Sequence, residues 1–108
     1  MTLYHGTSKA SWQPHQGACL TTSREIAAQY GRLIVAVEVE LGELTTDDRT
    51  ADVDRDEQSW PGDTQRSLDA LAAAGLDLVT YDDETPTGRE HLCYRLVSPA
   101  AVQAVAVL

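Results

Sequence analysis

The residues best equipped for chemistry fall toward the two ends of the chain. Near the start, Tyr4-His5-Gly6-Thr7 sets an imidazole and a hydroxyl around a residue with no side chain, and Thr21-Thr22-Ser23 leads into Ala28-Gln29-Tyr30. Near the end, Asp82-Asp83-Glu84 and Glu90 flank the run Thr85-Pro86-Thr87-Gly88. Each residue type suits a distinct task. A histidine can hold a ligand hydroxyl, and a glycine lets a ligand come close enough to pair with backbone N–H and C=O groups. A tyrosine ring attracts a cationic ring to its face. One carboxylate stabilises positive charge that grows as a bond breaks.

The elements that must position these groups can be read from periodicity and turn chemistry. Leu3 to Thr7 and Gly17 to Thr21 read as short strands joined by a polar loop containing Pro14. Ser23 suits the N-cap of a helix running to about Tyr30, because its hydroxyl accepts from free first-turn N–H groups, and Gly31 supplies a stop. From Arg32 to Leu41, Val35, Val37 and Val39 alternate with Ala36, Glu38 and Glu40, which is the pattern of a half-buried strand. The turn Trp60-Pro61-Gly62-Asp63 places Asp63 as N-cap of a second helix that buries Leu68, Leu71 and Ala72 and closes at Gly75. Leu76 to Asp82 and His91 to Val97 read as a hairpin pair. Ser98-Pro99 opens a short helical turn before a terminal strand from Gln103 to Leu108. About six short strands and two helices, with hairpins in succession at the end, predict a single α+β domain over residues 1–108, a small, mostly antiparallel split β-sandwich.

Composition narrows the function. The chain has 108 residues, with 8 Lys and Arg against 17 Asp and Glu, for a formal charge of -9. A nucleic-acid substrate is therefore not expected, since holding phosphates needs a basic face. Acidity concentrates in a loop over residues 43–57, read as a solvated segment or as a surface for a basic partner protein. No apolar run is long enough to span a bilayer and no signal-type segment is read, so no membrane partner and a cytoplasmic location are expected. Cys19 and Cys93 form no CxxC or Cys/His cluster, so both are read as buried small hydrophobes, with no disulfide and no metal expected.

The order Tyr4-His5-Gly6-Thr7, then Thr21-Thr22-Ser23 and Tyr30, then Glu90 heading an apolar strand that ends at Ser98-Pro99 resembles the His-Tyr-Glu class of ADP-ribosyltransferases, related to diphtheria toxin and the poly-ADP-ribose polymerases. The resemblance implies that NAD is bound as substrate and that its nicotinamide-ribose bond is cleaved, without a metal. It implies that His5 holds an adenosine ribose hydroxyl and Gly6 pairs with the nicotinamide carboxamide. Tyr30, or Tyr4 or Tyr94, would stack on nicotinamide, with Thr7, Thr21 and Thr22 as neighbouring contacts. Lys9, Arg24 and Arg32 are the nearby cations for the phosphates. Glu90 would hydrogen-bond the nicotinamide-ribose 2'-hydroxyl and stabilise the oxocarbenium-like state. Asp83 is the alternative acid, as in small phage-encoded relatives that block CRISPR interference by ADP-ribosylation.

The chain has no room for the acceptor platform of the polymerases, so mono-ADP-ribosylation of a protein, in a bacterial toxin or phage effector setting, is the expected activity. Gly88 stands where arginine-specific toxins carry Gln or Glu, which disfavours an arginine acceptor. NAD glycohydrolysis, and an inactive relative that binds a partner through the acidic loop, are the other readings. RNA 2'-phosphotransferases share part of the fold but need basic residues for the phosphate.

Overall fold

The computed structural model describes residues 1–40, 44–45 and 65–108. The expected acidic loop over 43–57, the turn at Trp60-Pro61-Gly62 and the Asp63 cap lie almost wholly outside the described residues. Among the described residues, seven strands form two sheets. In chain order these are β1 (Thr2–Thr7), β2 (Cys19–Leu20), β3 (Leu33–Val39), β4 (Leu44–Thr45), β5 (Leu78–Glu84), β6 (Glu90–Leu96) and β7 (Val102–Val107). The helices are α1 (Arg24–Ala27) and α2 (Gln65–Ala73). One sheet has the order β1-β3-β7 and the other β2-β6-β5-β4. Every pairing is antiparallel except β4 with β5. The predicted α+β split sandwich is the architecture observed.

The two sheets share one core. Alternation in β3 turns Val35, Val37 and Val39 inward, where they meet Leu3 of β1, Leu20 of β2, Leu78 of β5 and Leu96 of β6. Burying each such side chain contributes roughly 1.5–3 kcal/mol. A two-residue bridge joins the sheets at their edge: Tyr4 N–H donates to Thr21 C=O at 2.7 Å and Thr21 N–H returns to Tyr4 C=O at 2.9 Å. The cleft beside that bridge positions the site described below.

Local sequence accounts for most element ends. Ser23 caps α1, its hydroxyl accepting from Ile26 N–H at 3.3 Å. The helix is shorter than expected and gives way after Ala27 to tight turns, in which Gln29 and Tyr30 N–H groups bond Ile26 and Ala27 carbonyls at 3.0 Å each. Gly31 does not act through a left-handed stop. Among the described residues the left-handed glycines are Gly17, Gly75 and Gly88, whereas a Cβ on Gly31 would lie 2.5–2.7 Å from Thr7 backbone atoms. Close approach of two backbones is what excludes a side chain there.

Gly75 ends α2 as predicted, at φ +82°. Leu76 N–H reaches back to Leu71 C=O at 3.2 Å and Gly75 N–H to Ala72 C=O at 3.0 Å, the paired bonds of a Schellman motif. Leu68 and Leu71 are buried as expected, but Ala72 is exposed and Ser67 takes a buried position instead. The hairpin turn over Thr85 to Arg89 needs a left-handed residue, supplied by Gly88 at φ +84°. Ser98 makes no side-chain cap bond, although Pro99 begins a 3-10 turn as read. No helix among the described residues is long and apolar enough to cross a membrane.

Candidate functional site

A cavity of about 230 Å³ opens beside the inter-sheet bridge, lined by Tyr4, His5 and Gly6 of β1, Cys19, Leu20 and Thr21 around β2, Ala27 and Tyr30 at the end of α1, and His91 of β6. Five residues singled out from sequence, Tyr4, His5, Gly6, Thr21 and Tyr30, therefore meet around one space. Strand alternation and the α1 cap place them there. β1 turns Leu3 into the core, and His5, two residues on, occupies the same face at the cleft.

His5 is held firmly. Its Nδ1 lies 2.8 Å from Cys19 C=O; a carbonyl only accepts, so Nδ1 carries the proton. Burial lowers the His5 pKa from 6.5, the Cys19 hydrogen bond opposes that shift, and nearby His15 adds to it. The imidazole is thus neutral, and Nε2 keeps an acceptor lone pair suited to a ligand hydroxyl. Trp12 stacks on the ring at 4.0 Å between centroids and 13° between planes, with His15 edge-on to Trp12 at 6.0 Å. Sequence reading missed Trp12, since nothing in a polar loop signals that its ring folds back over β1.

Gly6 also proves to have a protein partner. A Cβ there would stand 1.7 Å from the Ala27 carbonyl oxygen, so glycine is required for β1 to pass under the end of α1. The sequence expectation assigned that freedom to a ligand's approach. The backbone of Gly6 still lines the cavity.

Tyr30 is 43% exposed. Its hydroxyl lies within hydrogen-bond distance of Glu84 C=O, to which it can donate, at 3.3 Å and of His91 Nε2 at 3.0 Å; when it donates to Glu84, Nε2–H is the donor to the phenol oxygen. Burial raises the Tyr30 pKa above 10.0, and the Asp83 carboxylate raises it further. The hairpin is tied to the same turn by Thr87, whose hydroxyl donates to Gln29 Oε1 at 2.6 Å.

The two candidate acids separate. Glu90 is exposed and borders an open acidic recess with Asp82, Asp83 and Glu84, not the cavity. Asp83 is half-buried, pairs across strands with His91, and brings a carboxylate oxygen within 4.8 Å of a sulfur of Cys19, a residue of the cavity wall. Asp83 is thus the acid nearer the cavity. The alternation of β6, with His91 and Cys93 buried and Glu90 and Leu92 exposed, explains the difference and is the signal that could have drawn attention to His91.

The remaining residues lie elsewhere. Thr7 is buried and its hydroxyl accepts from Lys9 N–H at 3.1 Å, a turn-forming bond. Thr22 is exposed and outside the cavity, and Tyr94 packs against the core. Lys9, Arg24 and Arg32 are exposed and none lines the cavity.

The cysteines require a correction. Cys93 is fully buried, but Cys19 is only partly so, and the two are joined as a disulfide with a Cα separation of 6.2 Å across 74 residues of sequence. Their separation in sequence hid a pairing created by β2 docking beside β6. No family model, no curated protein and no solved structure matches this chain.

Proposed function

We propose that the chain binds NAD at the inter-sheet cavity and cleaves the nicotinamide-ribose bond, transferring a single ADP-ribose to a protein. The observation that carries this reading is the convergence of His5, Gly6 and Tyr30 on one cavity, in the order the His-Tyr-Glu transferases use. At about 230 Å³ the cavity is below the roughly 300–1,000 Å³ of pockets that enclose a drug-sized ligand. It suits one end of a dinucleotide, with the rest along the open cleft.

In this reading Tyr30 offers an exposed ring face to the cationic nicotinamide, and neutral His5 accepts a ribose hydroxyl at Nε2. The hairpin supplies negative charge beside the breaking bond, where removing such a group costs about 10²- to 10³-fold in rate. Asp83 takes that role on proximity to the cavity, and Glu90 on the resemblance.

Incubating the protein with NAD labelled in the adenylate half and a bacterial lysate tests the reading. Nicotinamide release with label on a protein supports transfer; release with free ADP-ribose makes water the acceptor; no release with active controls sinks both. Comparing Asp83→Asn with Glu90→Gln then assigns the acid, because only the true one lowers kcat by about 10²-fold or more.

A further inference from the structure

Three metal-ligating side chains gather behind the cavity wall, with a fourth on the neighbouring strand position. A sulfur of Cys19, a sulfur of Cys93 and a carboxylate oxygen of Asp83 all lie within 4.8 Å of one another. His91 sits directly across from Asp83 in the β5–β6 register and two residues before Cys93, so its side chain leaves β6 on the same face. It is only 9% exposed, yet its Nδ1 has no hydrogen-bond partner. A buried, unpartnered imidazole nitrogen costs free energy unless something binds it.

The bonding of the opposite ring nitrogen defines what that something is. In the arrangement where the Tyr30 hydroxyl donates to Glu84 C=O at 3.3 Å, Nε2–H donates to that hydroxyl at 3.0 Å and Nδ1 of the neutral ring carries the lone pair. An imidazole whose far N–H is fixed by a hydrogen bond is the usual form of a metal-ligating histidine.

We propose that, once its disulfide is reduced, the chain binds a thiophilic divalent cation, zinc(II) by chemistry, through Cys19, Cys93, Asp83 and His91. Two thiolates, one imidazole and one carboxylate are a donor set that suits tetrahedral zinc. The chemistry balances with a dithiol reductant. The Cys19–Cys93 bond takes up two electrons and two protons as the dithiol becomes a disulfide, and the cation then displaces both thiol protons. Oxidised and metal-bound forms are therefore mutually exclusive, so cation uptake reports the redox state of the cavity wall. The proposal does not rest on NAD cleavage.

Cobalt(II), a coloured stand-in for zinc, provides the test. The full chain is reduced with a phosphine under argon, freed of reductant, and titrated with cobalt(II) while absorbance is followed. The expected result is a thiolate-to-cobalt charge-transfer band that saturates at one ion per chain and is bleached by stoichiometric zinc(II). The air-oxidised chain should give no such band. Asp83→Asn, an isosteric change, should weaken binding at least tenfold, and Tyr30→Phe, which removes the acceptor for Nε2–H, by about 10- to 100-fold. Cys19→Ser combined with Cys93→Ser should abolish the band. A reduced, folded wild-type chain that shows no charge-transfer band overturns the proposal, as does binding that is unchanged by oxidation or by Asp83→Asn.

Discussion

Tyr30 and His91 stand 61 residues apart in sequence and 3.0 Å apart in space, phenol oxygen to Nε2, so the turn after α1 and the start of β6 are held together at the mouth of the cavity. The rings meet edge-on at 6.0 Å between centroids. Replacing Tyr30 with Phe keeps the ring but removes the hydroxyl that bonds both His91 and Glu84. The expected loss is about 1 kcal/mol of stability, measured by urea unfolding. On the proposed function, binding of the nicotinamide half should weaken far less in this variant than in Tyr30→Ala, which removes the stacking face.

The crossing of β1 beneath α1 makes a sharper prediction. Gly6→Ala drives a methyl group into the Ala27 carbonyl, and Gly31→Ala drives one into the Thr7 backbone. Neither obstacle is a side chain that can rotate away. Each variant should lose about 3 kcal/mol or more, visible as a large drop in Tm. Gly88→Ala meets no atom within 4 Å but keeps a left-handed φ of +84°, so it should lose only about 1–2 kcal/mol.

His5 makes stability depend on pH in a defined direction. Its folded pKa lies below 6.5, chiefly through burial, so the unfolded chain takes up the proton more readily. The stabilisation is complete above 6.5 and is lost as pH falls through the lower folded value. Tm should decline on acidification from about pH 7 to about pH 5, and His5→Gln should flatten that part of the curve. If NAD binds as proposed, its affinity should fall over the same window, because protonated Nε2 no longer accepts a hydroxyl.

The Cys19–Cys93 bond closes a long loop, and cross-linking residues 74 apart restricts the unfolded chain. Reduction should lower stability by about 2–4 kcal/mol. Urea midpoints with and without a phosphine reductant, in the presence of chelator, check this. On the cation-site proposal, adding zinc(II) to the reduced chain should recover part of the loss.

The fold was largely legible in the residues because its signals are local. β3 follows from the Val35, Val37, Val39 alternation, α1 begins at Ser23 because a hydroxyl satisfies a free N–H group, and α2 and the β5–β6 hairpin are bounded by Gly75 and Gly88, which adopt a left-handed conformation at little cost. Half of the cavity was legible for the same reason: Tyr4, His5, Gly6, Thr21 and Tyr30 sit within or beside short motifs. The other half was decided by docking. Which face of β6 meets the cleft is set by the cross-strand register of Glu84 with Glu90 and Asp83 with His91, and a shift of one residue would exchange Glu90 for His91. The pairing of Cys19 with Cys93, the Trp12 ring over His5 and the backbone contacts that require Gly6 and Gly31 depend in the same way on segments that meet only when the two sheets close. A linear sequence carries periodicity and turn chemistry; contacts between distant segments exist only once burial of the shared core has brought the sheets together.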